Sequence, residues 1–120
     1  MNIEELRLYC ISKPGVTEGF PFDEVTLVFK VMDKMFCLTS LDKPLSMNVK
    51  CDPEEAIALR EQYEDVLPGY HMNKKHWNTV NITGAISDGQ LQKWVDDSYD
   101  LIVQSLTKKK QKELEELSNK

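Results

Sequence analysis

Apolar and polar residues recur along the chain with two periods, and these periods divide it into helices and strands. Apolar residues follow helical spacing in three stretches, each beginning after a residue that favours a helix N-cap: Asn2, Asp52 and Ser87. Pro53, directly after Asp52, favours the first turn of a helix. We therefore predict three helices, one beginning after each of these caps.

Between the first two helices the pattern changes to the period of two that is typical of strands. β-Branched and aromatic residues over 25–32 and 35–40 predict a hairpin with Asp33-Lys34 as its turn. Residues 45–50 alternate cleanly, and a further strand is predicted over 76–82. Strands that follow one another without crossover helices indicate an α+β fold with an antiparallel sheet.

Several segments fall outside these elements. Residues 16–23 are predicted to be a loop, in which Phe20-Pro21-Phe22 packs as an aromatic plug under the sheet. Pro68-Gly69 is predicted to be a turn. Residues 107–120 mix lysines with glutamates and hold few apolar side chains, so we predict a charged C-terminal extension that frays or serves as an interaction tail. The rest, residues 1–106, is predicted to be a single domain.

Size and charge limit the classes of function. The chain has 120 residues, 41% of them hydrophobic and 29% charged, which is typical of one globular domain. No apolar run approaches the roughly 20 residues of a membrane span, and the acidic N-terminus lacks the apolar region of a signal peptide. We expect a cytoplasmic monomer without membrane association. The net charge of −5 weighs against an obligate non-specific nucleic-acid binder, but the acidic residues concentrate in the helices, which leaves a basic sheet face open.

Polar and aromatic side chains are densest over residues 68–82. This stretch holds both histidines, one of the two tryptophans and an adjacent lysine pair, and it has no acidic residue. Its lysines offer charge to an anion, its rings offer faces for stacking, and its amides both donate and accept. The side chains in question are Tyr70, His71, Asn73, Lys74, Lys75, His76, Trp77 and Asn78. We take this stretch as the candidate site.

The cysteines leave an enzymatic alternative open. Cys10, Cys37 and Cys51 are an odd number without a CxxC pair, so neither a zinc site nor a disulfide framework is predicted. Reduced, partly buried thiols are one interpretation. The other is a reactive Cys51, because a helix start favours the thiolate, with His71 and His76 as partners. The chain has no phosphate-binding glycine loop or nucleophile motif, and we predict no cofactor and no metal.

Eight segments of the chain follow an order found in a known family. They are Lys13-Pro14-Gly15-Val16, Phe20-Pro21-Phe22, Val28-Phe29-Lys30-Val31, Lys34-Met35-Phe36, Lys50-Cys51-Asp52-Pro53, Leu59-Arg60-Glu61, Pro68-Gly69-Tyr70-His71-Met72-Asn73-Lys74-Lys75-His76-Trp77 and Ser98-Tyr99-Asp100-Leu101. Over residues 1–106 the chain therefore resembles the MmcQ/YjbR family of small bacterial proteins. The resemblance implies a two-layer sandwich similar to the bacterial frataxin CyaY, with helices packed on one face of the sheet. Frataxins use an acidic ridge for iron, and here the first helix offers only Glu4 and Glu5, so we expect no metal.

The resemblance also implies DNA binding without catalysis, through a double-wing arrangement of β-hairpins. The expected nucleic-acid-binding residues are Lys30, Asn48, Lys50, Arg60, His71, Lys74, Lys75, His76 and Trp77. The lysines are expected to contact phosphates, Trp77 and His76 to stack or wedge, and Arg60 to orient the surface or to contact phosphate itself. The alternative is a module that binds a protein, whose identity the sequence does not give, or a small anionic ligand.

Overall fold

The computed structural model describes residues 1–42, 44–69 and 72–118. Its helices are α1 Ile3–Ile11, α2 Pro53–Gln62, α3 Asp88–Ser105 and α4 Lys108–Ser118. Its strands are β1 Val16–Gly19, β2 Thr26–Val31, β3 Lys34–Ser40, β4 Ser46–Lys50, β5 Val66–Pro68 and β6 Trp77–Asn81. The strands form one antiparallel sheet in the order β1-β2-β3-β4-β6-β5, and the helices pack on one of its faces. The predicted α+β fold is confirmed. No helix of the described residues is long and apolar enough to cross a membrane.

The core lies between the sheet and the helices. Two rows of opposed, mostly apolar residues cross the sheet on the helix-facing side: Phe29, Cys37 and Val49 in one, and Met47, Val80 and Val66 in the other. α3 covers them with the stripe that its helical spacing predicts: Leu91, Trp94, Val95, Ser98 and Ile102. Burying a large apolar side chain stabilises the fold by about 1.5–3 kcal/mol, so this layer is the main source of stability.

A buried serine fixes α3 to two of the strands beneath it. Ser98 Oγ donates to the carbonyl oxygen of Phe36 at 2.5 Å and accepts from the backbone N–H of Lys50 at 2.8 Å. The β2–β3 register shifts between Phe29 and Lys30, which makes Phe36 the extra residue of a β-bulge. A bulged residue is left unpaired in the ladder, and here the hydroxyl of α3 satisfies its carbonyl.

The turn between β2 and β3 lies one residue earlier than the sequence predicts. Met32 and Asp33 form it, with φ values of 48° and 72°, and β3 already begins at Lys34. Positive φ at both central residues is the type I′ geometry that matches the twist of a hairpin. Aspartate tolerates this conformation better than most residues, whereas methionine has no local hydrogen bond to favour it. The predicted turn at Asp33-Lys34 is therefore corrected to Met32-Asp33.

The predicted loop and turn regions hold the two edge strands. β1 lies within residues 16–23, and β5 ends at Pro68, which we expected to begin a turn. Both strands are short and pair on one side only, with β2 and with β6. Proline is tolerated at a sheet edge because no ladder hydrogen bond is needed from it.

The aromatic residues between β1 and β2 do not plug the core. Phe20 is 47% exposed and Phe22 is 63% exposed. The Asp23 carboxylate accepts from the backbone N–H groups of Val25 and Thr26, which fixes the end of this loop by local hydrogen bonds. The prediction of an aromatic plug is wrong because the core is already filled from the strands and α3.

The C-terminal extension folds onto the domain over 108–118. Leu114 of α4 is 5% exposed and belongs to the core cluster, and Gln111 Nε2 donates to the carbonyl oxygen of Leu106 at 3.0 Å. Gly15 makes room for this contact, since a Cβ on Gly15 would lie 2.6 Å from Leu114 Cδ1. The expectation that this segment frays is therefore wrong for the described part of the extension.

Candidate nucleic-acid interface

One end of the sheet gathers several lysines that are far apart in sequence. Lys30 lies near the end of β2 and Lys50 ends β4, both on the face away from the helices. Lys34 begins β3 at the same end, and the loop 72–76 enters β6 there. We call this surface the lysine end; its residues are Lys30, Lys34, Lys50, Lys74 and Lys75.

Arg60 of α2 holds the loop that carries Lys74 and Lys75. Its Nε donates to Asn78 Oδ1 at 2.7 Å, and one terminal nitrogen donates to the carbonyl oxygens of Lys74 and of Trp77, the latter at 3.3 Å. Asn78 is itself buried, and its Nδ2 donates to the carbonyl oxygen of Ala56 in α2 at 3.4 Å. Of the two roles expected for Arg60, these contacts support the orienting one.

Asn73 closes the loop into a tight turn with the two lysines at its tip. Asn73 Oδ1 accepts from the backbone N–H of Lys75 at 2.9 Å, and its carbonyl accepts from His76 and Trp77. The side chains of Lys74 and Lys75 are exposed, and His76 is half-buried. His71 and its neighbour Tyr70 lie outside the described residues.

Two of the expected site residues are used inside the fold. Trp77 is 8% exposed, and Gly69, whose N–H donates to the Trp77 carbonyl at 2.9 Å, approaches it so closely that a Cβ on Gly69 would lie 2.9 Å from the Trp77 Cβ. The stacking role predicted for Trp77 is corrected on this ground, because a stacking platform needs an accessible ring face. Asn48 Oδ1 accepts from Thr79 Oγ1 at 2.6 Å, so its amide oxygen serves the β4–β6 pair.

On the sheet face away from the helices, the centre is apolar and buried rather than basic. Val28 and Leu38 lie opposite each other there and are 1% and 5% exposed. The same row continues to Asn48 and Thr79. The lysines therefore lie at one end of this face and not across all of it. The candidate surface is accordingly the lysine end.

The thiol of Cys51 is not activated. Burial, together with the nearby carboxylates of Glu55, Asp52 and Asp97, raises its pKa to about 11. The predicted activation by the helix start is wrong, because burial and three nearby carboxylates outweigh it. The cavity that Cys51 helps to line under α2 and α3 has room for about one water molecule.

His76 meets Cys51 through the backbone, where its carbonyl oxygen accepts from the Cys51 N–H at 2.7 Å. In the part of the chain that the structure describes, no three His, Cys, Asp or Glu side chains are grouped as metal ligands.

The sequence does not predict the positioning roles of two residues, although Asn78 lies in the candidate stretch and Ser98 in the apolar stripe of α3. Asn78 accepts the hydrogen bond that holds Arg60 in place, and Ser98 accepts from the backbone N–H of Lys50 at the end of β4. Both are polar residues at core-facing positions, Asn78 in β6 and Ser98 within the apolar stripe of α3. A buried polar group needs a partner, so this pattern is the signal that marks them.

Comparisons with known proteins agree with this architecture. The family model described as YjbR matches residues 11–101. The YjbR protein of Escherichia coli (strain K12) is 37% identical over 118 residues, which cover 98% of this chain and all of that protein. The YbdF protein of Escherichia coli O157:H7 is 36% identical over 110 residues, 91% of this chain and 90% of that protein. Both are described as uncharacterised, so neither carries an activity over to this chain.

Solved structures extend the similarity to the fold. The crystal structure of the Deinococcus radiodurans protein DR2400 matches with a TM-score of 0.88 and 40% identity, covering 94% of this chain and 87% of that one. A crystal structure from Pseudomonas syringae matches with a TM-score of 0.74 and 25% identity, covering 84% of this chain and 98% of that one. With the family model along most of its length and a relative matched over 98% of this chain and all of its own, the protein belongs to the YjbR family.

Proposed function

We propose that the protein binds DNA through the lysine end and catalyses no reaction there. The observation that supports this most is the convergence of lysines from three strands and one anchored loop at a single end of the sheet. Lysines that face a phosphate backbone release counterions on binding, and this term supplies most of the affinity for non-specific sites. Contacts of this kind fix the position of a protein on a duplex without reading its sequence.

The anchored loop strengthens the proposal. Arg60 and Asn73 hold the backbone that carries Lys74 and Lys75, so the loop is already in place before a duplex binds. Preorganisation of this kind reduces the entropy lost on association. His76, half-buried at the start of β6, is the residue to which we assign the remaining stacking contact.

The charge of the rest of the molecule restricts how DNA approaches. The net charge is −5, and α2 and α3 carry many of the acidic residues: Glu54, Glu55, Glu61, Asp88, Asp96, Asp97 and Asp100. The helical layer therefore repels a polyanion. Because the exposed Asp52, Glu54 and Glu55 at the start of α2 closely follow Lys50, we expect the phosphates to approach the lysine end from the side away from the helices. We expect micromolar affinity at low salt and a steep loss as salt rises. The proposal keeps the predicted cytoplasmic location and the predicted monomer.

The test is fluorescence anisotropy of a short fluorescein-labelled duplex over a salt series. Lys74→Gln/Lys75→Gln should weaken binding roughly tenfold at low salt and reduce the slope of log K against log salt by about two. The matched control is Arg7→Gln/Lys93→Gln, which removes the same charge from the helical layer, where both side chains sit in exposed ion pairs. Absence of binding by the unmodified protein at low salt, or equal losses in the two variants, would contradict the proposal.

A protein-binding module is the second candidate, and one observation favours it. Phe20, Phe22 and Leu41 are 47%, 63% and 47% exposed at the end of the sheet opposite the lysine end. The backbone N–H of Leu41 donates to the carbonyl oxygen of Val25 at 2.7 Å, which joins the loop of Phe20 and Phe22 to that of Leu41. Exposed aromatic rings beside the acidic Glu24 fit a basic partner segment better than DNA. Loss of such a complex in Phe20→Ser/Phe22→Ser, with DNA binding unchanged, would support this candidate.

A further inference from the structure

The charges of α4 are ordered against the stability of the helix itself. Lysines occupy its beginning, at Lys108, Lys109, Lys110 and Lys112, and glutamates follow at Glu113, Glu115 and Glu116. The first turn has no acidic residue and the last turn has no basic one. A helix dipole favours the opposite order, and Lys108 and Lys112, which are four residues apart, repel each other. Local rules are broken in this way most often where a function uses the residues.

The fold holds these lysines close to the lysine end. Lys34 Nζ lies 3.5 Å from the carbonyl oxygen of Ser105, the last residue of α3. Lys108 follows three residues later, so its Cα lies within about 11 Å of the Ser105 Cα. Leu114 and Gln111 then dock α4 on the domain, next to Gly15 and Leu106. The four lysines are thus part of a docked helix and not of a free tail.

The amines of α4 are open to an external anion. Lys108, Lys109 and Lys112 are exposed, and Lys110 is half-buried. Among the described residues, the ion pairs join the N-terminal amine to Asp88, Arg7 to Glu18, Lys13 to Asp96 and Lys93 to Asp97, and none of them involves a lysine of α4. Within the described ranges, no lysine of α4 is therefore held in an ion pair within 4 Å of a carboxylate, although Glu113 and Glu116 follow Lys109 and Lys112 one turn later.

We propose that the start of α4 is a second contact for the same nucleic acid, so that the phosphate-binding surface runs from Lys74 and Lys75 through the strand ends to α4. This inference rests on the proposed function. Strands β2, β3, β4 and β6 are neighbours about 4.8 Å apart, so the sheet supplies about 14 Å of this surface and α4 lengthens it. A duplex strand advances 3.4 Å per nucleotide, so the sheet alone spans about four nucleotides.

The experiment measures anisotropy of the same labelled duplex with Lys108→Gln/Lys109→Gln. We expect a roughly tenfold loss of affinity at low salt and a slope lower by about two, as in Lys74→Gln/Lys75→Gln, with Arg7→Gln/Lys93→Gln as the charge-matched control. If Lys74→Gln/Lys75→Gln weakens binding while Lys108→Gln/Lys109→Gln does not, α4 takes no part and this inference is overturned while the proposed function stands. If the unmodified protein does not bind, the proposed function itself fails.

A second variant tests whether the α4 lysines must be docked on the domain, or whether their charge alone is enough. Leu114→Ser keeps every charge but removes the side chain that docks α4, and Leu117→Ser, which changes a leucine 48% exposed on the same helix, is its control. We expect Leu114→Ser to bind the duplex several-fold more weakly than Leu117→Ser, with the α-helical and β-sheet signal of the domain retained. Equal binding by the two variants would contradict a role for docked α4 lysines.

Discussion

Arg60 shapes the lysine end by hydrogen bonding to protein. Its guanidinium joins α2 to Asn78 and to the carbonyl groups of the loop. The planar fork of arginine suits several acceptors at once, which the single amine of lysine does not. From the sequence, Arg60 is identified only as a basic residue near the candidate site. Whether its guanidinium bonds to phosphate or to carbonyl groups depends on residues about 18 positions away, such as Asn78, which only the fold brings next to it.

Removal of Arg60 is expected to weaken both the fold and the loop. Arg60→Ala leaves Asn78 Oδ1 and the loop carbonyls without their charged donor, so the free energy of unfolding in urea should fall by about 1–3 kcal/mol. Hydrogen exchange at the amides of His76 and Trp77 should become faster. The control is Arg7→Ala, whose exposed ion pair with Glu18 contributes less than about 1 kcal/mol. Equal stability of the two variants would mean that Arg60 does not anchor the loop.

Cys51 is expected to react slowly with iodoacetamide. Its pKa is raised from 9.0 to about 11, so near pH 8 its thiolate fraction is about a hundredfold smaller than that of an ordinary thiol. The raised pKa means that the thiolate forms only as the pH rises, and the alkylation rate should climb with a midpoint near pH 11. Mass spectrometry of the labelled protein, with Cys51→Ser to assign the site, measures this rate. A midpoint of the alkylation rate below pH 9 would contradict this prediction and support an activated Cys51.

At the scale of elements, capping residues and helical spacing located α1, α2 and α3, while the edge strands escaped. Asn2, Asp52 and Ser87 accept from backbone N–H groups of the first turns, as their positions predict. β1 and β5 have only four and three residues, and their stability comes from pairing with β2 and β6, which a local pattern does not contain. The bulge at Phe36 is set by the same long-range pairing, and so was not predicted.

The hydrogen bonds of Ser98 are expected to contribute strongly to the stability of the contact between α3 and the sheet. Ser98→Ala leaves the Phe36 carbonyl and the Lys50 N–H without a partner in the core, so it should lower the free energy of unfolding by about 2–4 kcal/mol. Ser105→Ala, on the exposed end of the same helix, is the control and should change stability by less than about 0.5 kcal/mol. Urea unfolding followed by circular dichroism compares them. Similar urea midpoints for the two variants would show that the Ser98 hydroxyl does not stabilise the fold.

The whole molecule is acidic on balance yet strongly divided in charge. Its net charge of −5 is carried largely by the helices, while the strand ends, the loop 72–76 and the start of α4 are rich in lysine. The sequence composition predicts neither the division nor its place, because the lysines concerned lie between residues 30 and 112 and meet only through the sheet order β2-β3-β4-β6. The predicted basic sheet face is thus reduced to one end. The similarity to CyaY and the double-wing mode of DNA binding stay predictions.

The most direct test of the lysine end is a chemical-shift titration of the nitrogen-15-labelled protein with a short DNA duplex. DNA binding at the lysine end should move the amides of Lys30, Lys34 and Lys50 and of residues 73–76 in fast exchange, and the shifts should disappear as salt is raised. The amides of the loop 20–24, at the opposite end of the sheet, should stay in place. Shifts concentrated in that loop, or no shifts at low salt, would contradict the assignment of the lysine end as the nucleic-acid contact.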